Sequence, residues 1–178
     1  ILAAFDPQYG GFGTHPKFPH PGAITFLLHR WHDRHEEQVR TVIERTLLGM
    51  ARGGIHDQLG GGFHRYSVDR EWIVPHFEKM SYDNSELLRN YVDAWAAFGT
   101  PEYLAAARGI LQWVAEVLAD AEGGYGTSQD ADVGLDDDGD YFTWTLDEVR
   151  AVLDADELAV AAGYYDIGTA GEMHHNPG

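Results

Sequence analysis

The sequence predicts a mainly α-helical fold of antiparallel helical hairpins, and three observations carry this prediction. Apolar residues recur at i, i+3 and i+4 in several segments. Proline and capping residues stand where these segments begin. Similar Gly-aromatic loops start at residues 6, 57 and 120, one hairpin apart. Because solenoid repeats are usually shorter and more even, an α/α toroid is favoured over a plain helical solenoid.

The helical pattern predicts six helices in three hairpins. Pro21 and Pro101 suit a first helical position, and Thr145 with Glu148 forms a capping box. The predicted helices span residues 21–34, 36–52, 81–98, 101–120, 146–154 and 156–164. Three hairpins make about half of an (α/α)6 ring, so we expect residues 1–178 to be a partial toroid domain.

The long loops between helices are predicted to carry small β-hairpins. Alternating residues mark two candidates, one around residues 63–67 and one around residues 141–145. Trp31, Trp95 and Trp113 lie on helical stripes and are expected in the core. Trp72 and Trp144 lie in the loops, where packing and stacking on a sugar are both open.

Composition excludes several classes of function. A net charge of −17 over 178 residues argues against nucleic acid and anionic membranes as partners. The chain contains no cysteine, so disulfides and thiolate metal sites are excluded. No apolar run is long enough to span a bilayer, and no signal-peptide pattern is present. We therefore expect a cytoplasmic protein with a single core in this region.

The densest group of chemically active residues lies in residues 53–66 and 75–84. Histidine titrates near neutrality and suits general acid–base catalysis, and a carboxylate is the natural second group. The predicted catalytic residues are His76, Glu78, His64 and Asp57.

Ligand binding is expected from the neighbouring cations, hydroxyls, rings and carboxylates. Arginine offers a planar fork for oxygen atoms, and aromatic rings offer a face for a sugar. The predicted binding residues are Arg65, Tyr66, Lys79, Tyr82, Asp83, Asp130, Asp132 and Trp72. Ser81 is interpreted as a helix cap, and Asp83 is either a cap or a ligand-binding residue.

No metal or cofactor is predicted. The histidines do not follow the spacing of a zinc site. The acidic run at residues 136–140 does not place a glycine where an EF-hand turn requires one. That run is interpreted as a solvated loop tip.

Several motifs resemble one known family. They are the segment Lys17–Pro19, the long segment Met50–Asp69, Trp72, Val74–Met80, Tyr82–Asn84, Asp130–Asp132 and Tyr141–Thr145. The chain resembles the YyaL-type and spermatogenesis-associated protein 20-like family, in which a thioredoxin-like domain precedes a six-hairpin glycosidase-like toroid. The resemblance implies a toroid similar to that of N-acylglucosamine 2-epimerases. It also implies that the thioredoxin-like domain and the remaining hairpins lie outside this chain. The segment 171–176 departs from the family pattern.

Three functions stay open at this point. A sugar isomerase or epimerase needs an acid and a base at one carbon, which a pair of histidines across the pocket would favour. A glycoside hydrolase needs paired carboxylates. A non-catalytic scaffold would bind a glycan or a protein and position the thioredoxin-like domain. A small sugar is the expected ligand of the two enzymes, and the truncated chain is expected to self-associate through exposed apolar surface.

Overall fold

The structure, a computed structural model, describes residues 1–132, 139–165 and 167–168. The chain forms two compact units, residues 1–131 and residues 132–178. The acidic residues 136–138 and the segment 171–176 lie outside the described residues.

The first unit is built from two antiparallel helical hairpins. Helix α1 (Pro21–Arg34) pairs with α2 (Glu37–Arg52), and α3 (Ser81–Phe98) pairs with α4 (Pro101–Trp113). Helix α1 also packs beside α3, and α2 beside α4, so the hairpins form two layers of helices. A short 3₁₀ turn, Leu2–Ala4, precedes them. The predicted helical hairpins are confirmed in this unit.

Helix α2 follows its predicted apolar stripe closely. Every stripe residue is buried in the core, namely Val39, Val42, Ile43, Leu47 and Met50. The start of α1 is also confirmed, because Pro21 is its first residue.

The buried face of helix α3 differs from the predicted apolar stripe. Tyr91 is buried as expected, but Val92 is exposed and Trp95 is 42% exposed, so the core prediction for Trp95 is wrong. Two asparagines, Asn84 and Asn90, are buried instead. An apolar periodicity cannot reveal polar residues that face the interior because they have hydrogen-bond partners there.

Helix α4 continues past Trp113 as a π-helical turn, Val114–Leu118. The Ala119 amide donates to the Val114 carbonyl at 3.0 Å, which is the i to i+5 spacing of this conformation. The predicted extent to residue 120 is therefore nearly right, while the hydrogen bonding of its last turn is different.

Two short antiparallel strand pairs lie in the loops of the first unit. Strand β1 (Tyr66–Ser67) pairs with β2 (Pro75–His76), which confirms the first predicted β-hairpin. Strand β3 (Lys79–Met80) pairs with β4 (Ser128–Gln129) from beyond the second helical hairpin.

The second unit contains a short helical hairpin, α5 (Leu146–Val152) and α6 (Ala155–Tyr165). The predicted capping box is confirmed, because Thr145 and Glu148 exchange both expected hydrogen bonds. The strand predicted around Tyr141 is wrong, since Asp140–Phe142 is a 3₁₀ turn that follows Gly139 in a left-handed conformation. Among the helices that the structure describes, none has the length and apolar character that crossing a membrane requires.

Candidate functional site

A buried ionic clasp fixes the N-terminal loop against the loop after β1. The Asp6 carboxylate accepts hydrogen bonds from Lys17 Nζ at 3.0 Å and from Arg70 Nε and Nη2 at 2.7 and 2.9 Å. Arg70 holds the pKa of Asp6 well below its usual range, although burial opposes this. The clasp joins segments more than fifty residues apart and so supports the loops that carry the candidate site.

Trp72 belongs to this support rather than to a ligand surface. Its ring is fully buried, and its Nε1 donates to the Tyr9 carbonyl at 3.1 Å. Lys17 Nζ lies 4.8 Å from the ring centroid. A Cβ added at Gly11 would lie 2.4 Å from the ring, so this fit requires glycine. The expectation that Trp72 stacks on a sugar is corrected, because no face of the ring is accessible.

The Gly-rich loop is tied down by a second buried ion pair. Lys79 Nζ lies 2.6 Å from Asp57 Oδ2 and donates to the Gly61 carbonyl at 2.9 Å. The Lys79 side chain is only 1% exposed. Burial opposes the ionisation of Asp57, but Lys79 outweighs it and the pKa of the carboxyl is lowered. The ion pair therefore holds the Gly-rich loop against β3, with the Lys79 side chain in the interior.

His64 is also an interior residue. It is 3% exposed, and its Nδ1 lies 2.7 Å from the Phe77 carbonyl, which makes this nitrogen the donor. Burial, reinforced by the charge of Lys79, lowers the pKa of His64 to about 4. The imidazole is therefore neutral at neutral pH and holds β2 against the loop.

Asn84 is a supporting residue that the sequence reasoning missed. Its Oδ1 accepts from the Phe63 amide at 2.7 Å, and its Nδ2 donates to the carbonyls of Phe63 and Met80. The one signal for it was position, because Asn84 precedes Leu87 and Tyr91 by three and seven residues on the buried side of α3.

A half-buried charged cluster forms where β3 leads into α3. Arg65 Nη1 lies 3.1 Å from Glu78 Oε2, and the Arg65 amide donates to the Glu78 carbonyl at 2.8 Å. The side chain of Tyr82, which is exposed, also interacts with Arg65. The predicted residues Arg65, Glu78 and Tyr82 are thus brought together by the strand connection.

Asp83 is the unusual member of this charged cluster. Its Oδ2 is buried, and among the described residues no hydrogen-bond partner reaches it. Burial raises the pKa of Asp83 to about 6, with Arg65 opposing the shift. The cap of α3 is Met80, and no side chain provides a capping hydrogen bond. The interpretation of Ser81 as the cap is therefore wrong, and Asp83 does not have that role either.

A ring stack starts at Tyr66, which follows Arg65 in the chain and is the first residue of β1. The rings of Tyr66 and His76, which are directly paired across β1 and β2, are 4.9 Å apart and nearly parallel at 17°. His76 Nδ1 is buried and makes no hydrogen bond within the described part of the chain. The ion pair and the ring stack are separate groups of contacts within one hairpin.

The two predicted aspartates after the second helical hairpin are positioned differently. Lys79 pairs with Gln129 in the strand register, and Asp130 directly follows Gln129 in the chain. Asp132 belongs to the second unit, where it is exposed.

The site is defined by its side chains rather than by an enclosed cavity. Two concave surfaces of the first unit lie elsewhere, one of about 560 Å³ along residues 117–126 and one of about 470 Å³ between the N-terminal loop and α2. Neither includes the charged cluster. Neither concavity gathers the paired and unpartnered groups found around Asp83, and such groups with a perturbed pKa mark candidate functional sites. Within the described ranges, no group of three or more His, Asp or Glu residues is arranged to hold a metal ion.

Solved structures define the class of this fold. A sugar epimerase from a ruminal bacterium superposes with a TM-score of 0.64 over 72% of this chain and 36% of its own, at 16% identity. The cellobiose 2-epimerase of Spirochaeta thermophila superposes with a TM-score of 0.61 over 71% of this chain and 34% of its own, at 17% identity. The fold is that of the α/α toroids found in sugar epimerases.

Sequence relatives define the family. Human spermatogenesis-associated protein 20 is 42% identical over 158 residues, and its mouse counterpart is 40% identical over the same length. An uncharacterised Caenorhabditis elegans protein is 32% identical over 189 residues. The chain belongs to the spermatogenesis-associated protein 20 family. The match to the human relative covers 84% of this chain but only 20% of the relative, so the chain spans about a fifth of that protein's length. No family model matches the chain.

Proposed function

We propose that the complete protein acts on a carbohydrate by acid–base chemistry at the carbon beside a carbonyl, as a sugar isomerase or epimerase. The fold of the solved epimerases supports this class of substrate. One observation carries the proposal, namely the half-buried Asp83 carboxyl with an unpartnered oxygen beside the Arg65–Glu78 ion pair. A carboxyl that titrates near the working pH is suited to both giving and taking a proton.

The residues of the charged cluster have different roles in this proposal. Asp83 transfers the proton at the reacting carbon or its neighbouring oxygen. Arg65 presents its remaining guanidinium N–H groups to sugar oxygens, and Glu78 fixes the orientation of Arg65. His76 is the second proton-transfer group in this proposal, because its ring is held by Tyr66 while Nδ1 remains without a partner in the described structure.

The buried candidates act through these residues. Lys79 with Asp57 and His64 with Phe77 hold the Gly-rich loop and β2 in place. We therefore propose that Asp57, His64 and Lys79 position the site and do not contact the ligand.

Glycoside hydrolysis is the second candidate, and the carboxylates favour it. Glu78 and Asp83 both influence Arg65, and Asp130 directly follows the strand partner of Lys79. A hydrolase needs one protonated and one ionised carboxyl, and burial, which raises the pKa of Asp83, favours Asp83 as the protonated one.

Solvent-proton exchange separates these functions. The full-length protein is incubated in heavy water with glucose, N-acetylglucosamine or cellobiose, and deuterium at the carbon beside the carbonyl is followed by NMR. We expect deuterium incorporation that falls at least 100-fold in Asp83→Asn, consistent with the usual size of acid–base catalysis. The matched control is Asp33→Asn, which changes an exposed aspartate on α1.

The other outcomes are equally distinct. Glucose released from cellobiose without deuterium incorporation would replace the isomerase proposal with hydrolysis. Sugar binding without either reaction would leave the scaffold that binds a glycan. No reaction and no binding with any of the three sugars would overturn the carbohydrate proposal.

A further inference from the structure

An exposed aromatic residue outside the predicted site joins the ring stack. Lys17 and Ser67 exchange two backbone hydrogen bonds, of 2.7 and 2.9 Å, so a segment of the N-terminal loop lies along β1. This pairing places the ring of Phe18 4.8 Å from that of Tyr66. Phe18, Tyr66 and His76 therefore form a continuous row of three rings. The outermost ring is available to a ligand, since Phe18 is 38% exposed.

His20 lies beside the outer end of this row. Its ring is 6.3 Å from the rings of both Phe12 and Phe18. The residue is exposed, yet its backbone has φ of 50° and ψ of 57°, in the left-handed region. Histidine is among the residues other than glycine that adopt this region more readily than most.

The chemistry of this surface selects a neutral ligand with one apolar face. Aromatic faces pack against the C–H face of a sugar ring, and an imidazole both donates and accepts hydrogen bonds with hydroxyls. The net charge of −17 disfavours an anionic ligand.

We propose that Phe18 and His20 form a carbohydrate-binding subsite, in which a pyranose ring packs on Phe18 and one of its hydroxyls bonds to His20. The subsite rests on the proposed function only in taking a sugar as ligand. It adds a specificity-determining surface from the N-terminal loop to the hairpin that carries Arg65 and His76.

Binding measurements on the full-length protein test this subsite. Cellobiose and N-acetylglucosamine are titrated by isothermal calorimetry into the unchanged protein and four variants. Phe18→Leu keeps the bulk of the side chain and removes the aromatic face, and we expect it to weaken binding about fivefold to tenfold. Phe18→Trp keeps an aromatic face and should bind within about twofold of the unchanged protein.

His20 needs a variant that tolerates its backbone conformation. Asparagine adopts the left-handed region more readily than most residues, so His20→Asn removes the ring with the backbone preserved. We expect weaker sugar binding in His20→Asn as well. The matched control is Phe26→Leu, because Phe26 is 53% exposed on α1 and makes no part of the ring row.

The outcomes distinguish this subsite from the proposed function. Sugar binding that weakens in Phe18→Leu and His20→Asn but not in Phe26→Leu supports the subsite. Sugar binding that is unchanged in Phe18→Leu overturns the subsite and leaves the proposed function standing. If the unchanged protein binds neither sugar, the subsite is overturned, whereas the proposed function fails only if there is also no reaction and no binding with glucose.

Discussion

Acidification should destabilise the first unit through His64. The imidazole is buried against Phe77, and burial lowers its pKa from 6.5 to about 4. Because the folded state binds the proton less readily than the unfolded state, this contribution to stability is complete above pH 6.5. It is lost as the pH falls from 6.5 to 4. Linkage with these two pKa values gives a loss of about 2 kcal/mol in the free energy of unfolding between pH 7 and pH 5.

The matched variant is His64→Asn, which keeps a nitrogen donor near the Phe77 carbonyl but does not titrate. Urea unfolding of the 178-residue chain, followed by tryptophan fluorescence at pH 7 and pH 5, gives the free energies of both proteins. Other groups also titrate in this range, and Asp83 acts in the opposite direction. The prediction therefore concerns the difference between the two proteins, which should shrink by about 2 kcal/mol at pH 5. An equal pH dependence in both would refute the assignment of His64 as a buried neutral residue.

Three further predictions concern the Lys79–Asp57 ion pair, the Asp83 carboxyl and the exposed apolar surface. Lys79→Met should lower the free energy of unfolding by about 3–5 kcal/mol, because it leaves the charge of Asp57 unpaired. Lys79→Met combined with Asp57→Asn should recover part of the lost free energy, because no buried charge then remains unpaired. Additive losses in a double-mutant cycle would contradict this. Asp83→Asn should stabilise the chain by about 1 kcal/mol at pH 8 and hardly at all at pH 4, because a raised pKa costs stability only where the carboxyl is ionised. The expected gain is small because solvent screens this half-buried group. Equal unfolding curves of the two proteins at pH 8 would contradict this prediction. The chain should self-associate at micromolar concentration through its exposed apolar helix surfaces, as measured by light scattering. The double substitution Trp95→Gln with Leu111→Gln should weaken that association at least tenfold. A chain that stays monomeric at all concentrations would exclude this prediction.

Much of the helical architecture was predictable because it depends on local patterns. Pro21, Pro101 and the Thr145 capping box mark helix starts by their own stereochemistry, and the structure places all three as expected. The stripe of α2 was equally clear, since all of its apolar stripe residues are buried.

The positions that were missed depend on long-range contacts. Asn84 faces the core because its amide bonds to the backbone of Phe63, 21 residues earlier. The pairing of β3 with β4 joins Lys79 to Gln129 across a whole helical hairpin, and no local signal marks it.

The candidate site shows the same limit. The sequence drew attention to residues 53–66 and 75–84, but it did not separate the residues that support the loop from the other residues of these segments. Lys79 and Asp83 are both charged and lie four residues apart. Only the fold shows that Lys79 is paired in the interior while an oxygen of Asp83 is buried without a partner in the described structure.

A crystal structure of the full-length protein with bound cellobiose or N-acetylglucosamine tests the central claim most directly. We expect a sugar oxygen or the reacting carbon of the sugar within about 2.6–3.5 Å of the Asp83 carboxyl group, with Arg65 also in contact with the sugar. A sugar bound away from Asp83, with that carboxyl covered by another part of the protein, would contradict it.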